Sequence, residues 1–550
     1  MSKVDKEKFN YFMLKNKAWL LALIFILAIF LRVFLINKIP SGLQVDEGLV
    51  VYNSYTLAET GSDFFGYHLP VHLEGFGWGE NALLPYLLVL PIKIFGLDKL
   101  WILRLVVVLL NVLMIFFAYL LAKELFNDKI ASLTAFFLAI SPWNLVLSRI
   151  LFNVNILPLF LIAGLYFLIR GIKNNNFFNF IGAAIFYSLS FYTYALSFLW
   201  LPVIFIVVGI AFKDQIKSLK IRNYILFFLV LFILGLPIFI FYLKNQFGIL
   251  SNLENLFIFS LPKLSHTRFD DLSILNNLAY LVPVVFLNNY LQYFNPYFLF
   301  IYGNSLLFPR LTGLSFLIEA PLIVIGLSLT LKNIKQPSCK FLLYWYLLAP
   351  LPAAMTFNNA LPHPLRFINA LPVLEIFTAL GAYYFFTELI FKIKKRSLYL
   401  LSALAILNLL FFSVNYFWFY PKTSFYVFQG LNREIASFIS ENYKQYNNFI
   451  ILDKTSTPNL SPYDYLILAK ISPQALPADK SGFLDRKFVM DKVHFISVEN
   501  VASYLPMANQ KNLYIYQVLD QPLLKDNLKI KKVIKEFKDL NQQTVFLAAE

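Results

Sequence analysis

Between Ser41 and Glu80 the chain carries Asp46, Glu47, Glu59, Asp63, Glu74 and Glu80 and no Lys or Arg. Asp46 and Glu47 are adjacent and follow closely on the first apolar run. A carboxylate at a dry membrane rim can act as general base on a hydroxyl that comes within hydrogen-bond reach. An ionised group placed near lipid is costly unless it has a task or a partner. The plainer reading is a solvated acid that caps the Gly48–Ala58 helix expected next, because Asp is common before helix starts. The cations that would complement these acids lie far away in sequence. Arg366 stands in HPLRFINALP and Arg268 in LPKLSHTRFDD. Either guanidinium can donate two parallel hydrogen bonds to a phosphate. The competing reading is an Arg that reaches for lipid headgroups, and it applies equally to Arg32, Arg104 and Arg149 near the ends of apolar runs.

Other polar residues carry weaker signals. His68, His72 and Glu74 have ligand-like spacing, but Pro70 between the histidines breaks any shared helical face. A metal is therefore not favoured, and no cofactor is expected. His363, between Pro362 and Pro364, shapes its loop or touches substrate. GFGWGE has no strand–turn–helix context, so it is a turn rather than a dinucleotide site. Trp78 within it offers a sugar-stacking or interfacial surface. The single Cys339 excludes a disulfide framework within the chain and a Cys-based zinc site.

These residues need elements to hold them. Of 550 residues, 59% are hydrophobic and 14% charged, with mean hydropathy +0.64. Sixty Phe and 32 Tyr exceed the needs of a soluble core, and many apolar runs approach the roughly 20 residues that cross a bilayer. An α-helical polytopic membrane protein is expected. The net charge of +16 fits that class without nucleic acid, because Lys and Arg gather on the cytoplasmic side. High Lys, Asn, Ile and Phe usage hints at an AT-rich prokaryotic genome.

Apolar runs fall at Trp19–Ile36, Leu100–Ala122, Ile130–Leu147, Phe152–Ile169, Phe177–Tyr194, Leu196–Phe212, Tyr224–Leu243, Ser315–Leu331, Phe341–Met355, Phe367–Phe391 and Leu398–Phe419. Ala82–Phe95 is apolar too, but short and interrupted by Pro85 and Pro91. If it crossed, every later basic linker up to KIKKR (392–396) would face outside. Placed at the outer interface or re-entering, it leaves them all inside, and Pro-broken backbone is tolerated where it lines a protein cavity. The expected topology has about eleven spans, with twelve or thirteen as alternatives. Residues 1–18 are then a cytoplasmic N-terminus, and 19–420 a membrane module with outer loops 37–99 and 244–314. From 421 to 550 there are 16 Lys/Arg and 13 Asp/Glu, a charge density well above the chain average. This tail reads as an extracytoplasmic soluble α/β domain, with a helix over Gln429–Tyr446 and strands at Phe449–Leu452, His494–Val498, Leu513–Val518 and Thr544–Leu547.

A first helix followed by an outer loop that opens on an acidic pair resembles the integral-membrane GT-C glycosyltransferases. The bacterial relatives of protein O-mannosyltransferases and the aminoarabinose transferases are the nearest in pattern. The resemblance is carried by VDEGLVVYNSYTLAETGSDFFGYHLPV, WGENALLPYLLVLPIKIFGLDKLWILRL, LSRILFNVNILPLF, FLFIYGN and HPLRFINALP, in that order, over most of residues 19–420. It implies a glycosyltransferase in the cell membrane that takes a sugar from a polyprenyl-phosphate carrier. The acceptor, on the outer face, is a lipid, glycan or protein. By position Asp46 matches the family's catalytic acid, with Glu47 beside it. Glu80 matches an acidic residue at the loop's end, and Arg366, Arg268 and Arg149 are the candidate holders of the carrier phosphate. Leu49 and Asn81 stand where aminoarabinose transferases have Arg and Lys, which shifts that role towards Arg366 and Arg268. Asn153 and Asn155 stand where metal-dependent oligosaccharyltransferases carry a second acidic motif, and Asn is a weaker ligand for a hard cation.

The implied reaction has Asp46 deprotonate the acceptor hydroxyl, with inversion at the anomeric carbon. The rival classes are a lipid-linked sugar transporter or flippase, and a non-catalytic membrane protein with an outer binding domain. A transporter would show an internal repeat and broken or charged helices near the midplane, and the chain shows neither.

Overall fold

The computed structural model describes residues 17–75, 79–97, 99–250, 254–264, 281–303, 307–356, 361–390, 393–453, 462–476, 488–498, 510–524 and 532–550. Helices dominate up to Thr423, and a sheet follows. Among the described residues five helical stretches are long and apolar enough to cross a membrane. They are Leu100–Leu125, Asn153–Asn174, Ile221–Gln246, Ile368–Leu389 and Lys395–Thr423. The chain is thus a multi-pass membrane protein, but the expected count of about eleven full-length spans is not reached.

At four of the missing spans the difference has a local cause. The run from Ile130 to Leu147 breaks at Ser141, where Pro142 starts a new short helix, so it becomes Asp128–Ile140 and Pro142–Leu147. The run from Phe341 to Met355 divides at Ala349–Pro350 into Pro337–Leu348 and Leu351–Ala354. Phe177–Phe191 and Leu196–Ala211 are separate helices of 15 and 16 residues. At about 1.5 Å per residue they fall short of a hydrocarbon layer of about 30 Å. Leu83–Phe95, with Pro91 inside it, has 13 residues and is too short to span, in keeping with an interfacial or re-entrant position.

Small residues let some helices close to backbone contact. A Cβ on Gly326, in Ala320–Lys332, would run into the carbonyl of Phe377, and one on Gly381, in Val373–Tyr384, into that of Leu322. Two glycines on facing helices thus permit an approach that no larger residue allows.

The helix that carries the acidic pair runs Val45–Thr60, three residues longer at its start and two at its end than expected. We call it the rim helix. Behind it, His72–Leu73 and Glu80–Asn81 pair antiparallel. The segment 244–314 contributes a hairpin of Glu254–Leu256 and Phe259–Leu261 and the helix Leu281–Gln292.

The C-terminal region is a six-stranded mixed sheet in the order Phe488–Met490, Val493–Ser497, Asn448–Asp453, Asn512–Gln517, Thr544–Ala549, Val533–Lys538. Asn448–Asp453 lies parallel to both neighbours, and the remaining pairs are antiparallel. The four expected strands are present, and two edge strands were missed. Val533–Lys538 reads VIKEFK, with charges on the exposed edge that protect it from pairing and make it look like a solvated segment. The expected Gln429–Tyr446 helix is shorter, Asn432–Asn442. A second helix, Pro462–Leu468, docks the sheet region on the rim helix, and one continuous apolar core joins them. Phe64 and Tyr463 meet edge to face there at 5.4 Å.

Candidate functional site at the membrane rim

The rim helix is started by Gln44, not by Asp46. The Asp46 N–H donates to Gln44 Oε1, and the Gln44 N–H donates to Glu47 Oε2 at 3.0 Å, a reciprocal capping box. The capping role considered for Asp46 is thereby filled by another residue. Asp46 sits half-buried in the first turn, where exposed N–H groups favour a negative charge.

Glu47 is fully buried and wholly engaged. It faces Arg104 Nη2 at 3.2 and 3.3 Å and accepts the Leu151 N–H at 2.9 Å. Arg104 also donates to the carbonyls of Pro40, at 3.0 Å, and Gly42. One buried ion pair thus ties together the rim helix, the start of Leu100–Leu125 and the turn after Arg149.

Arg32, Arg104 and Arg149 are not headgroup-seeking arginines, because they are 0%, 4% and 0% exposed. Arg32 donates to the carbonyls of Ala28, Leu138 and Ala139 and to Asn144 Oδ1. Arg149 donates to the Phe34 carbonyl at 2.7 Å and lies over the Tyr416 ring at 5.6 Å. All three guanidinium groups are within electrostatic reach of the Tyr416 phenol. Sequence spacing offered no sign of this, because the cluster exists only where four separate segments meet.

Glu80 is half-buried and accepts from Asn153 Nδ2 at 3.4 Å. Asn153 Oδ1 accepts the Leu84 N–H at 3.1 Å, and Asn155 Nδ2 donates to Leu147 and Ile150 carbonyls. Both asparagines therefore brace backbone. Arg366 donates to Thr356 Oγ1 at 2.8 Å and, among the described residues, pairs with no carboxylate. It stands beside His363, whose imidazole burial, and then the nearby guanidinium, lower to about 4, so the ring is neutral at pH 7. No hydrogen bond or ion pair joins Asp46 to Arg366 among the described residues. Trp78 and Arg268 lie outside the described residues. His68 is exposed, while His72 is buried and stacked on Phe241 at 4.8 Å.

Asp63 is a buried acid that sequence reading did not single out. Its Oδ1 accepts the N–H groups of Phe65 at 3.0 Å and Tyr67 at 2.9 Å. Burial outweighs those donors and pushes its carboxyl up to about 7. Glu74 is raised to about 7 as well, by burial first and then by the charge of Asp63.

Residues 82–241 match the profile of a family described as dolichyl-phosphate-mannose-protein mannosyltransferase. No functionally curated protein matches the chain in sequence. The structure is similar to that of ArnT from Cupriavidus metallidurans bound to undecaprenyl phosphate. The two are 12% identical with a TM-score of 0.55, over 96% of this chain and 97% of that one. It is also similar to the Archaeoglobus fulgidus oligosaccharyltransferase tethered to an acceptor peptide with the NVT sequon. There the identity is 13% and the TM-score 0.51, over 98% of this chain and 74% of that one. The archaeal oligosaccharyltransferase AglB from the same organism, in complex with an inhibitory peptide and a dolichol-phosphate, matches at 13% identity. Its TM-score is 0.50, over 92% of this chain and 70% of the other. At such identities the likeness is one of fold.

Proposed function

We propose that this membrane protein, with its GT-C-like fold, transfers a sugar from a polyprenyl-phosphate carrier to an acceptor at the outer face. Asp46 is the general base. Asp46 takes the proton of the acceptor hydroxyl, the oxygen bonds to the anomeric carbon with inversion, and the carbon–oxygen bond to phosphate breaks. The carrier leaves as polyprenyl phosphate, already anionic, so it needs fixed positive charge and no general acid. Arg366, with guanidinium donors beyond the one used on Thr356, is suited to that phosphate. Neutral His363 beside it can hydrogen-bond to substrate without adding charge. In this reading the N-terminus is cytoplasmic and the C-terminal region lies outside.

One observation carries the reading. Asp46 is half-buried next to a neighbour, Glu47, that is locked by Arg104 and Leu151. The base is therefore held in place by a framework that does not itself need to react. The test supplies a polyprenyl-phosphate sugar to the purified protein and follows release of free polyprenyl phosphate. Asp46→Asn is expected to lower that release by about 10²–10⁴-fold while expression and Tm stay normal. Release at the wild-type rate would remove Asp46 from the mechanism.

A further inference from the structure

A cavity lies beside the start of the rim helix. It has a volume of about 750 Å³ and is bounded by the turn at 36–43, the start of Leu100–Leu125 and two C-terminal helices. Neither Asp46, Glu80 nor Arg366 lines it. Its size is that of an ordinary small-molecule site of about 300–1,000 Å³.

The chemistry of its walls is uneven. The C-terminal wall is cationic and hydroxyl-bearing. Arg433, Ser437 and Ser440 all face the cavity from the helix Asn432–Asn442, at positions one and two turns apart. Arg433 is exposed and, among the described residues, has no carboxylate partner. Lys470 lines the same wall. The one acid in the described lining, Asp464, is buried with Oδ2 accepting from Asn432 Nδ2 at 2.8 Å. Burial, chiefly, drives its carboxyl well above the usual carboxylate range. Among the described residues, Glu47 is the carboxylate paired with Arg104. Even with Asp464 and Glu47 counted as charged, Arg104, Arg433 and Lys470 leave the described lining net positive. Beside Arg104, the wall formed by the start of Leu100–Leu125 carries apolar side chains: Leu97, Leu100 and Trp101, the last 42% exposed, at the outer start of a helix long enough to cross the membrane. Trp at that position marks headgroup depth.

We infer that this cavity binds the phosphate-bearing headgroup of an anionic membrane lipid, with Arg433 and Lys470 on the phosphate and the apolar wall along the first carbons of the acyl chains. A free phosphate would satisfy the cations but leave the apolar wall without a function, which favours the lipid. The site is separate from the one proposed for catalysis, and its test does not depend on sugar transfer.

The test is native mass spectrometry of the full chain released from detergent with phosphatidylglycerol or phosphatidylcholine added. The wild type is expected to retain phosphatidylglycerol over phosphatidylcholine by about tenfold. The double variant Arg433→Gln, Lys470→Gln should lose that preference, and Arg433→Lys, Lys470→Arg should keep it. Both positions are exposed, so Tm should not move. Equal retention of the two lipids by the wild type, or an unchanged preference in the Gln variant, overturns the inference. Displacement of phosphatidylglycerol by inorganic phosphate at millimolar concentration would also overturn the lipid assignment, in favour of a free anion, and resistance to it supports the lipid.

Discussion

Single residues divide here by how far their polar groups are engaged. Asp46 and Glu47 look equivalent in sequence, yet Glu47 is sealed against Arg104 while Asp46 stays half-open. Burial and partners separate them, and a one-dimensional reading has access to neither. Arg366 differs from Arg32 and Arg104 in the same way: their guanidinium groups each donate to two or more backbone carbonyls, whereas that of Arg366 donates to the Thr356 hydroxyl. Arg366→Ala is expected to weaken binding of the lipid donor with a smaller effect on kcat. Steady-state kinetics against donor concentration would read this, and an unchanged KM would speak against a phosphate role. Asp63 and Glu74 set a pH dependence. Both hold protons in the fold up to about 7, whereas the unfolded chain has released them at ordinary carboxylate values. Between about pH 4 and 7 the folded state binds more protons than the unfolded state, so stability falls as pH rises through that window. The Tm of the wild type should drop from pH 5 to 8, and Asp63→Asn should flatten that slope; a slope equal to wild type would mean that Asp63 is ionised in the fold.

Helices were legible from hydropathy where they were long and uninterrupted, as in Leu100–Leu125 and Ile221–Gln246. They were misjudged where proline or a turn divides an apolar run, because composition measures polarity and not continuity. Ser141–Pro142 and Ala349–Pro350 are such places. The close approach of Ala320–Lys332 to Val373–Tyr384 was equally hidden. It depends on Gly326 and Gly381 meeting backbone on the opposite helix. Gly381→Ala should force the pair apart and lower stability by about 1–3 kcal/mol, the usual range for overpacking. Thermal unfolding in detergent would measure it, and a Tm unchanged from wild type would mean that the helices separate at no cost.

The whole molecule is held together at the seam between the membrane module and the sheet region. Asp464 lies against Gly48, so that a Cβ there would strike its Oδ1, and Tyr52 donates its hydroxyl proton to the Ile471 carbonyl at 3.0 Å. The C-terminal region therefore braces the helix that carries Asp46, whatever else it binds. Gly48→Val is expected to open the seam, raise amide exchange along Val45–Thr60 and speed proteolytic release of the region beyond Pro421. Wild-type exchange in that variant would show that the sheet region is only loosely attached.

Hydropathy, charge asymmetry and the order of short motifs were enough to define a multi-pass membrane protein with an acidic segment after its first helix and a charged, sheet-forming tail. They were enough because polarity per residue and local strand or helix pattern are properties of neighbouring positions. The burial of three arginines around Tyr416, the locking of Glu47 and the docking of Asp464 on Gly48 arose only in three dimensions. Each brings together residues tens to hundreds of positions apart, and electrostatic and steric energies depend on distance in space rather than along the chain.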